Sequence, residues 1–350
     1  MKRINGLFEK VIAMDNLRLA DANARKCKAH SYGVRVHDRR REQNIQDLHD
    51  ALANKSFRTS HYTTFIIREP KERVIYRLPY YPDRILHHAV MNVVEPIWIA
   101  TMNTHTYSCI KKRGIHKCAQ DVRRSLRDDP EGTKYCLKID IRKFYPSIDH
   151  GVLKTIIRRK IKDKDLLWLL DEIIDSVDAN PNNTPGVGIP IGNYLSQFFA
   201  NMMLAYFDHW IVESKRVKHY FRYADDIVIF GASKSELHAL LVEMRSELSK
   251  LKLKVKRNYQ VFPVDARGVD FVGYVFRHTH TRLRKSIKQN LCRRVAKIAK
   301  QSTPPSPKEM RQQIASWWGW CKYCNAANLI NKLQKRLPYE LTFKKSKRAL

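Results

Sequence analysis

Apolar positions recur at two different periods along this chain, and the places where the period changes outline its elements. Phe8, Val11, Ile12, Met14, Leu17 and Leu19 fall at roughly helical spacing, and Ile45, Leu48 and Leu52 repeat it after the basic run Arg39-Arg40-Arg41. The first seventy residues therefore read as helical. Residues 63–78 alternate and are rich in β-branched side chains, which predicts a hairpin turning at Glu69-Pro70-Lys71. Helical spacing returns from Asp83 to about Pro96. Residues 134–141 form a short apolar strand that runs into an acid, Asp140. Helices are expected over 150–177, a loop over 180–186 from its Asn, Pro and Gly content, and a further helix from about Asn193 through Phe207. Residues 219–230 read as a second hairpin with Asp225 and Asp226 at its tip. Residues 233–251 form an amphipathic helix with Ser233 as its N-cap. Helical periodicity persists over 280–350, interrupted at Thr303-Pro304-Pro305-Ser306-Pro307, and no solenoid repeat is present.

Length and charge add what periodicity leaves open. A chain of 350 residues exceeds one compact core, so two or three lobes are expected, and 43% hydrophobic residues suffice to build them. Lys and Arg number 66 against 34 Asp and Glu, a net charge of +32, which calls for a polyanionic partner; nucleic acid is the first candidate. An anionic membrane is the weaker rival, because no apolar run approaches the roughly 20 residues that span a bilayer. Met1-Lys2-Arg3-Ile4-Asn5 leads into charged residues without a signal-peptide stretch, so a cytoplasmic location is expected. The final segment, 280–350, carries 18 Lys and Arg against Glu309 and Glu340, half of the net charge, and reads as a basic helical lobe. Seven scattered cysteines indicate a reduced compartment. Cys321 and Cys324 have the spacing of half a zinc site or a redox pair, but no second pair follows. The neighbouring Trp317, Trp318 and Trp320 read mainly as packed core, with stacking on bases as the alternative.

The acids carry the chemistry. Phosphoryl transfer from a nucleotide needs two divalent cations about 4 Å apart, held by carboxylates on rigid strands. Asp140 at a strand end and Asp225-Asp226 at a hairpin tip would supply them. Oxygen ligands without His or Cys favour Mg²⁺. A lone Asp-Asp pair is ordinarily a solvated turn. Here apolar β-formers flank it on both sides, which makes the charge costly without a bound cation.

Tyr223-Ala224-Asp225-Asp226 resembles the YxDD box of reverse transcriptases. Residues 137–145, with Asp140 and then Tyr145, resemble the first metal motif of that family, 188–197 the segment between, and Phe271-Val272-Gly273-Tyr274 the primer grip. The resemblance implies an α+β right-hand polymerase fold. Residues 1–133 would be an N-terminal extension and fingers, 134–279 a palm with a finger insertion at about 150–185, and 280–350 a helical basic thumb. It implies that Asp140, Asp225 and Asp226 hold two Mg²⁺ ions with the carbonyl of Ile141. Tyr145 would be the steric gate that selects dNTPs. Lys71 and Arg73 would clamp the triphosphate, though a plain surface charge run is the alternative reading. Lys256 would protonate the leaving diphosphate or simply contact a phosphate.

Within the family, Ile191 precedes Gly192 where a glutamine is usual, and Gln197 follows Ser196 where a proline is usual. Together with Pro190, this pattern is similar to reverse transcriptases of diversity-generating retroelements. So are the segments 84–90, 113–116 and 258–263, and the length without an appended maturase, endonuclease or RNase H domain. That resemblance implies error-prone copying of a template-repeat RNA, with mutation at adenines, and an RNA–cDNA hybrid product. It also implies a small basic oligomeric accessory protein as partner. Replacing an amide by an alkyl group at Ile191 removes hydrogen bonds that help hold the base pair in register, so selectivity falls. A retron or antiphage-defence enzyme, or a catalytically inactive RNA-binding relative, are the alternatives.

Overall fold

The computed structural model describes residues 3–68, 72–182 and 184–340. They gather into two compact units interleaved along the chain: the described residues of 1–104, 141–215 and 244–255 in one, and those of 105–140, 216–243 and 256–350 in the other.

The first unit is mainly helical. Helix Ile85–Thr101 is apolar round most of its circumference, so it takes the centre, burying Leu86, Ala89, Val90, Val94 and Trp98. It runs past Pro96, the expected end. Burial of Trp98 and Thr101 in its last turn outweighs the one backbone bond that proline gives up. Helices Met14–Ala24 and Arg41–Ala53 present Leu17, Ile45, Leu48 and Leu52 to this core. Asp163 caps helix Lys164–Asp175 through Leu166 N, and its other oxygen accepts from Leu7 N at 2.6 Å and Phe8 N at 3.0 Å, tying down the N-terminal segment. The expected hairpin is present as β1 (Thr63–Ile67) and β2 (Arg73–Arg77), with Ile67 opposite Arg73. Its tip, Glu69-Pro70-Lys71, lies outside the described residues, and so does the Lys71 expectation.

The second unit is built on a four-stranded antiparallel sheet of β3 (Tyr135–Asp140), β4 (His219–Tyr223), β5 (Asp226–Gly231) and β6 (Gln260–Pro263), in the order β4-β5-β3-β6. A smaller sheet joins β7 (Val269–Phe271), β8 (Tyr274–Phe276) and β9 (Thr281–Leu283). Helices Lys285–Ala299, Pro307–Cys321 and Ala327–Gln334 follow. The expected interruption at 303–307 is present as the break between the first two of these helices, and its end sets the start of the second. Ser306 and Glu309 form a reciprocal capping box, and Pro307 occupies the first turn, where its missing N–H has no role. These helices share one core with the sheets, in which Phe221, Phe230, Phe271, Phe276, Leu291, Val295, Ile314 and Trp318 are buried together. Trp317 and Trp320 pack against the same core. Burial pushes the thiols of Cys321 and Cys324 up, to about 11 and about 12, away from the thiolate that metal or redox chemistry needs.

Candidate active site

Three strands deliver the acids. β3 pairs antiparallel with β5 so that Asp140 lies opposite Asp226, and β4 pairs with β5 so that Tyr223 lies opposite the same residue. Ala224 and Asp225 are the two residues of the β4–β5 turn. Ala224 adopts φ +56°, a left-handed conformation that costs a non-glycine residue about 1 kcal/mol or more. The turn is held from both sides: Ala224 N donates to Ser108 Oγ at 3.1 Å, and the Arg222 guanidinium donates to the Ala224 carbonyl at 3.0 Å.

The carboxylates are half-buried and mutually repulsive. Burial, followed by the neighbouring Asp140, raises the carboxyl of Asp225 above the usual range. Asp226 is pushed up to about 6 by burial; Lys138 opposes this, and Asp140 and Asp225 add to it. Lysines stand in as counter-charges. Lys256 Nζ lies 2.6 Å from Asp140 Oδ1, an ion pair, and its backbone N donates to the Asp140 carbonyl at 2.9 Å. Lys138 Nζ is 3.9 Å from Asp226 Oδ2 and also donates to the Asp270 carbonyl. Oδ1 of Asp226 is buried with no hydrogen-bond partner, and Asp140 Oδ1 has only its ion pair. A buried, unpaired carboxylate oxygen is expensive, and a divalent cation is the partner that suits it. The donor set therefore fits hard cations. Among the described residues no three acidic, His or Cys side chains are gathered closely enough to form a cage by themselves.

The predicted primer-grip residues lie in the same unit as a β7–β8 hairpin, with Val272 at φ +41° and Gly273 at φ +85° as its two-residue turn. A Cβ on Gly273 would overlap the ring of Trp320, so the turn lies directly against that indole. Tyr274 is buried, and its hydroxyl donates to the Trp320 carbonyl at 3.1 Å.

The other predicted residues belong to the first unit. Ile141 is buried and bridges to Val255. The Tyr145 carbonyl accepts from Ile189 N at 3.0 Å, joining it to the segment that holds Pro190, Ile191 and Gly192. The Ile191 carbonyl accepts from Tyr76 N at 2.8 Å, and Gly192, at φ +124°, passes so close to the Tyr76 carbonyl that a Cβ would lie 2.5 Å from it. Strand β2, which carries the exposed Arg73, is thus docked on the Ile191–Gly192 backbone. Ser196 is buried and Gln197 exposed on helix Tyr194–Met203.

Sequence reading missed Lys138, Arg222 and Ser108. Lys138 was accessible to it in principle, since it precedes Asp140 by two residues and so shares its face of the strand.

A model of the family described as reverse transcriptase (RNA-dependent DNA polymerase) matches residues 68–276, more than half of the chain. The chain is 25% identical over 233 residues to the protein YkfC of Escherichia coli K12, covering 56% of this chain and 61% of that protein. It is 24% identical over 274 residues to the retron Ec73 reverse transcriptase of Escherichia coli, covering 70% and 81%. Among solved structures, apo telomerase from Candida tropicalis is similar with a TM-score of 0.49 at 12% identity, over 81% of this chain and 60% of that one. The chain spans about three fifths of the length of YkfC and of that telomerase chain. With its mixed helices and antiparallel sheets and its paired acids at a strand end and a hairpin tip, the chain belongs to the reverse transcriptase family and has that family's α+β right-hand polymerase fold.

Proposed function

We propose that this protein is an RNA-directed DNA polymerase that joins dNTPs on an RNA template, with Asp140, Asp225 and Asp226 holding two Mg²⁺ ions. The observation that carries this reading is the register of Asp140 opposite Asp226, with a buried carboxylate oxygen on Asp226 left unpaired. When bound, Mg²⁺ supplies charge neutralisation at the attacking 3′-oxygen and at the leaving diphosphate. The backbone carbonyl of Ile141 is read as a further oxygen ligand. Lys256 is read as the donor to the leaving diphosphate, and its present ion pair with Asp140 supports that reading. Tyr145 is read as the gate against a 2′-hydroxyl, and Arg73 as a triphosphate clamp on the strand whose Tyr76 meets Ile191 and Gly192. Residues 271–274 are read as the primer grip. The fingers, palm and thumb are assigned to 1–133, 134–279 and 280–350. The test is dNTP incorporation on primed RNA with and without Mg²⁺, with Asp225→Ala as control. Absence of synthesis by the wild type on any primed RNA would favour an RNA-binding relative without activity.

We further propose that the enzyme copies a template-repeat RNA inaccurately, as diversity-generating retroelements do, and works with a small basic oligomeric accessory protein. Ile191 and Gln197 support this, and Pro190 and Ser196 complete the segment that would line the pair being formed. Ile191 spends its carbonyl on Tyr76 and has no side-chain hydrogen bond to offer a substrate or template base. Fidelity on a defined RNA decides: a high error rate concentrated at template adenines is expected, and low, uniform error at all four bases would overturn it. A retron-type enzyme is the second reading, favoured by similarity that spans 81% of the retron Ec73 reverse transcriptase.

A further inference from the structure

Arg222 is among the largest fully buried side chains of the molecule, in a strand whose neighbours are Tyr220 and Phe221. A guanidinium so placed must be fully bonded, since an isolated buried charge is costly and an apolar residue of similar volume would serve stability as well or better. Two of its bonds reach the β4–β5 turn and the segment beside it. One terminal nitrogen donates to the Ala224 carbonyl at 3.0 Å, and the other donates to Thr106 Oγ1 at 3.3 Å. The backbone of residue 222 is fastened to the same neighbouring segment, with Arg222 N donating to the His105 carbonyl at 3.1 Å and Tyr107 N donating to the Arg222 carbonyl at 3.1 Å. Ser108 on that segment accepts from Ala224 N at 3.1 Å, and Arg113 donates to the Thr106 carbonyl at 3.1 Å. Both polar atoms of the Ala224 backbone are therefore fixed by residues 108 and 222.

Ala224 is the left-handed residue from which Asp225 and Asp226 follow. An alanine is held in that conformation only if its surroundings over-determine it. The planar, forked guanidinium reaches two acceptors at once, which a lysine cannot reproduce. We infer that Arg222, with Ser108, is a positioning residue for the metal-binding carboxylates: it locks the Ala224 peptide so that the side chains of Asp225 and Asp226 are aimed before any cation arrives. This rests on the reading of those two acids as metal ligands. Partners of that kind behind a ligand are worth roughly 10- to 100-fold in metal affinity or activity.

The experiment measures Mn²⁺ binding to the full chain, from the loss of the free-ion electron paramagnetic resonance signal, alongside melting temperature and dNTP incorporation on primed RNA. The variants are Arg222→Gln, Arg222→Lys, Ser108→Ala and Asp225→Ala. Ser108→Ala keeps the buried charge and so folds even if Arg222→Gln does not. Mn²⁺ affinity and turnover are expected to fall roughly 10- to 100-fold in Arg222→Gln and less in Ser108→Ala, at a dNTP KM close to that of the wild type. Arg222→Lys should fall between Arg222→Gln and the wild type. If Ser108→Ala and every folded Arg222 variant bind Mn²⁺ and turn over as the wild type does, the inference is overturned. If Asp225→Ala itself binds Mn²⁺ and polymerises normally, the failure lies instead in the metal-ligand reading.

Discussion

Asp226 experiences opposing fields whose balance can be measured. Burial, with Asp140 and Asp225 behind it, lifts its carboxyl from 3.8 to about 6 against the pull of Lys138. The folded value lies above the unfolded one, so the fold disfavours the ionised form. On account of this group the metal-free protein loses stability as pH rises from about 4 to about 6 and regains it on acidification. That rise corresponds to at most about 3 kcal/mol, and screening of the 31% exposed side chain reduces this to roughly 1–2 kcal/mol. Denaturant unfolding of metal-free wild type and Asp226→Asn should show the variant gaining that amount on the wild type at about pH 7.5 and much less at about pH 4.5. A gap independent of pH would refute this account. Added divalent cation should stabilise the wild type increasingly across the same interval, because protons compete for the same oxygen. The three aspartates were legible in the sequence because acids interrupt strongly apolar strands. Arg222 was not: in an alternating strand an arginine reads as an outward residue, and only the 105–108 segment beside β4 turns its position into a buried one.

At the scale of elements, the hairpins and most helices followed from periodicity, whereas their ends were set by contacts the pattern does not contain. Helix Ile85–Thr101 overran its proline because Trp98 had a core to enter. The turn at Val272-Gly273 was recognisable by resemblance, but its reason is tertiary. Gly273 combines φ +85° with close contact against the Trp320 ring, so two independent costs fall on any side chain there. Gly273→Ala should lose roughly 2–4 kcal/mol, from left-handed strain and overpacking together. Thermal unfolding measures the sum, and a double-mutant cycle with Trp320→Leu separates the parts. The packing share, about 1–3 kcal/mol, should disappear once the indole has been replaced, while the backbone share persists. An unchanged penalty in both backgrounds would mean that the indole plays no part in shaping the turn.

For the molecule as a whole, the +32 charge needs a physical reason. No described helix is long and apolar enough to cross a membrane. Uniformly spread cations would serve solubility, but half of the excess is gathered in residues 280–350, where the helices bury their apolar faces in a core shared with the sheet that carries the acids. Arg277, Arg282, Lys285, Lys288 and Lys332 line one cavity of about 620 Å³ with no acid among its walls. A surface that neutralises phosphates releases condensed counterions, so the logarithm of RNA affinity should fall linearly with that of salt. With roughly 6–10 contacts, the loss between about 50 and 200 mM amounts to about 10³–10⁵. Replacing Arg282, Lys285, Lys288 and Lys332 together by glutamine tests whether these cations make such contacts. If each meets a phosphate, the slope becomes shallower by about one per contact, the affinity at low salt drops, and binding weakens alike for all RNA sequences. Filter binding of a primed RNA over a salt series gives that slope directly. An unchanged slope would assign these cations to solubility and move the nucleic-acid surface elsewhere on the molecule.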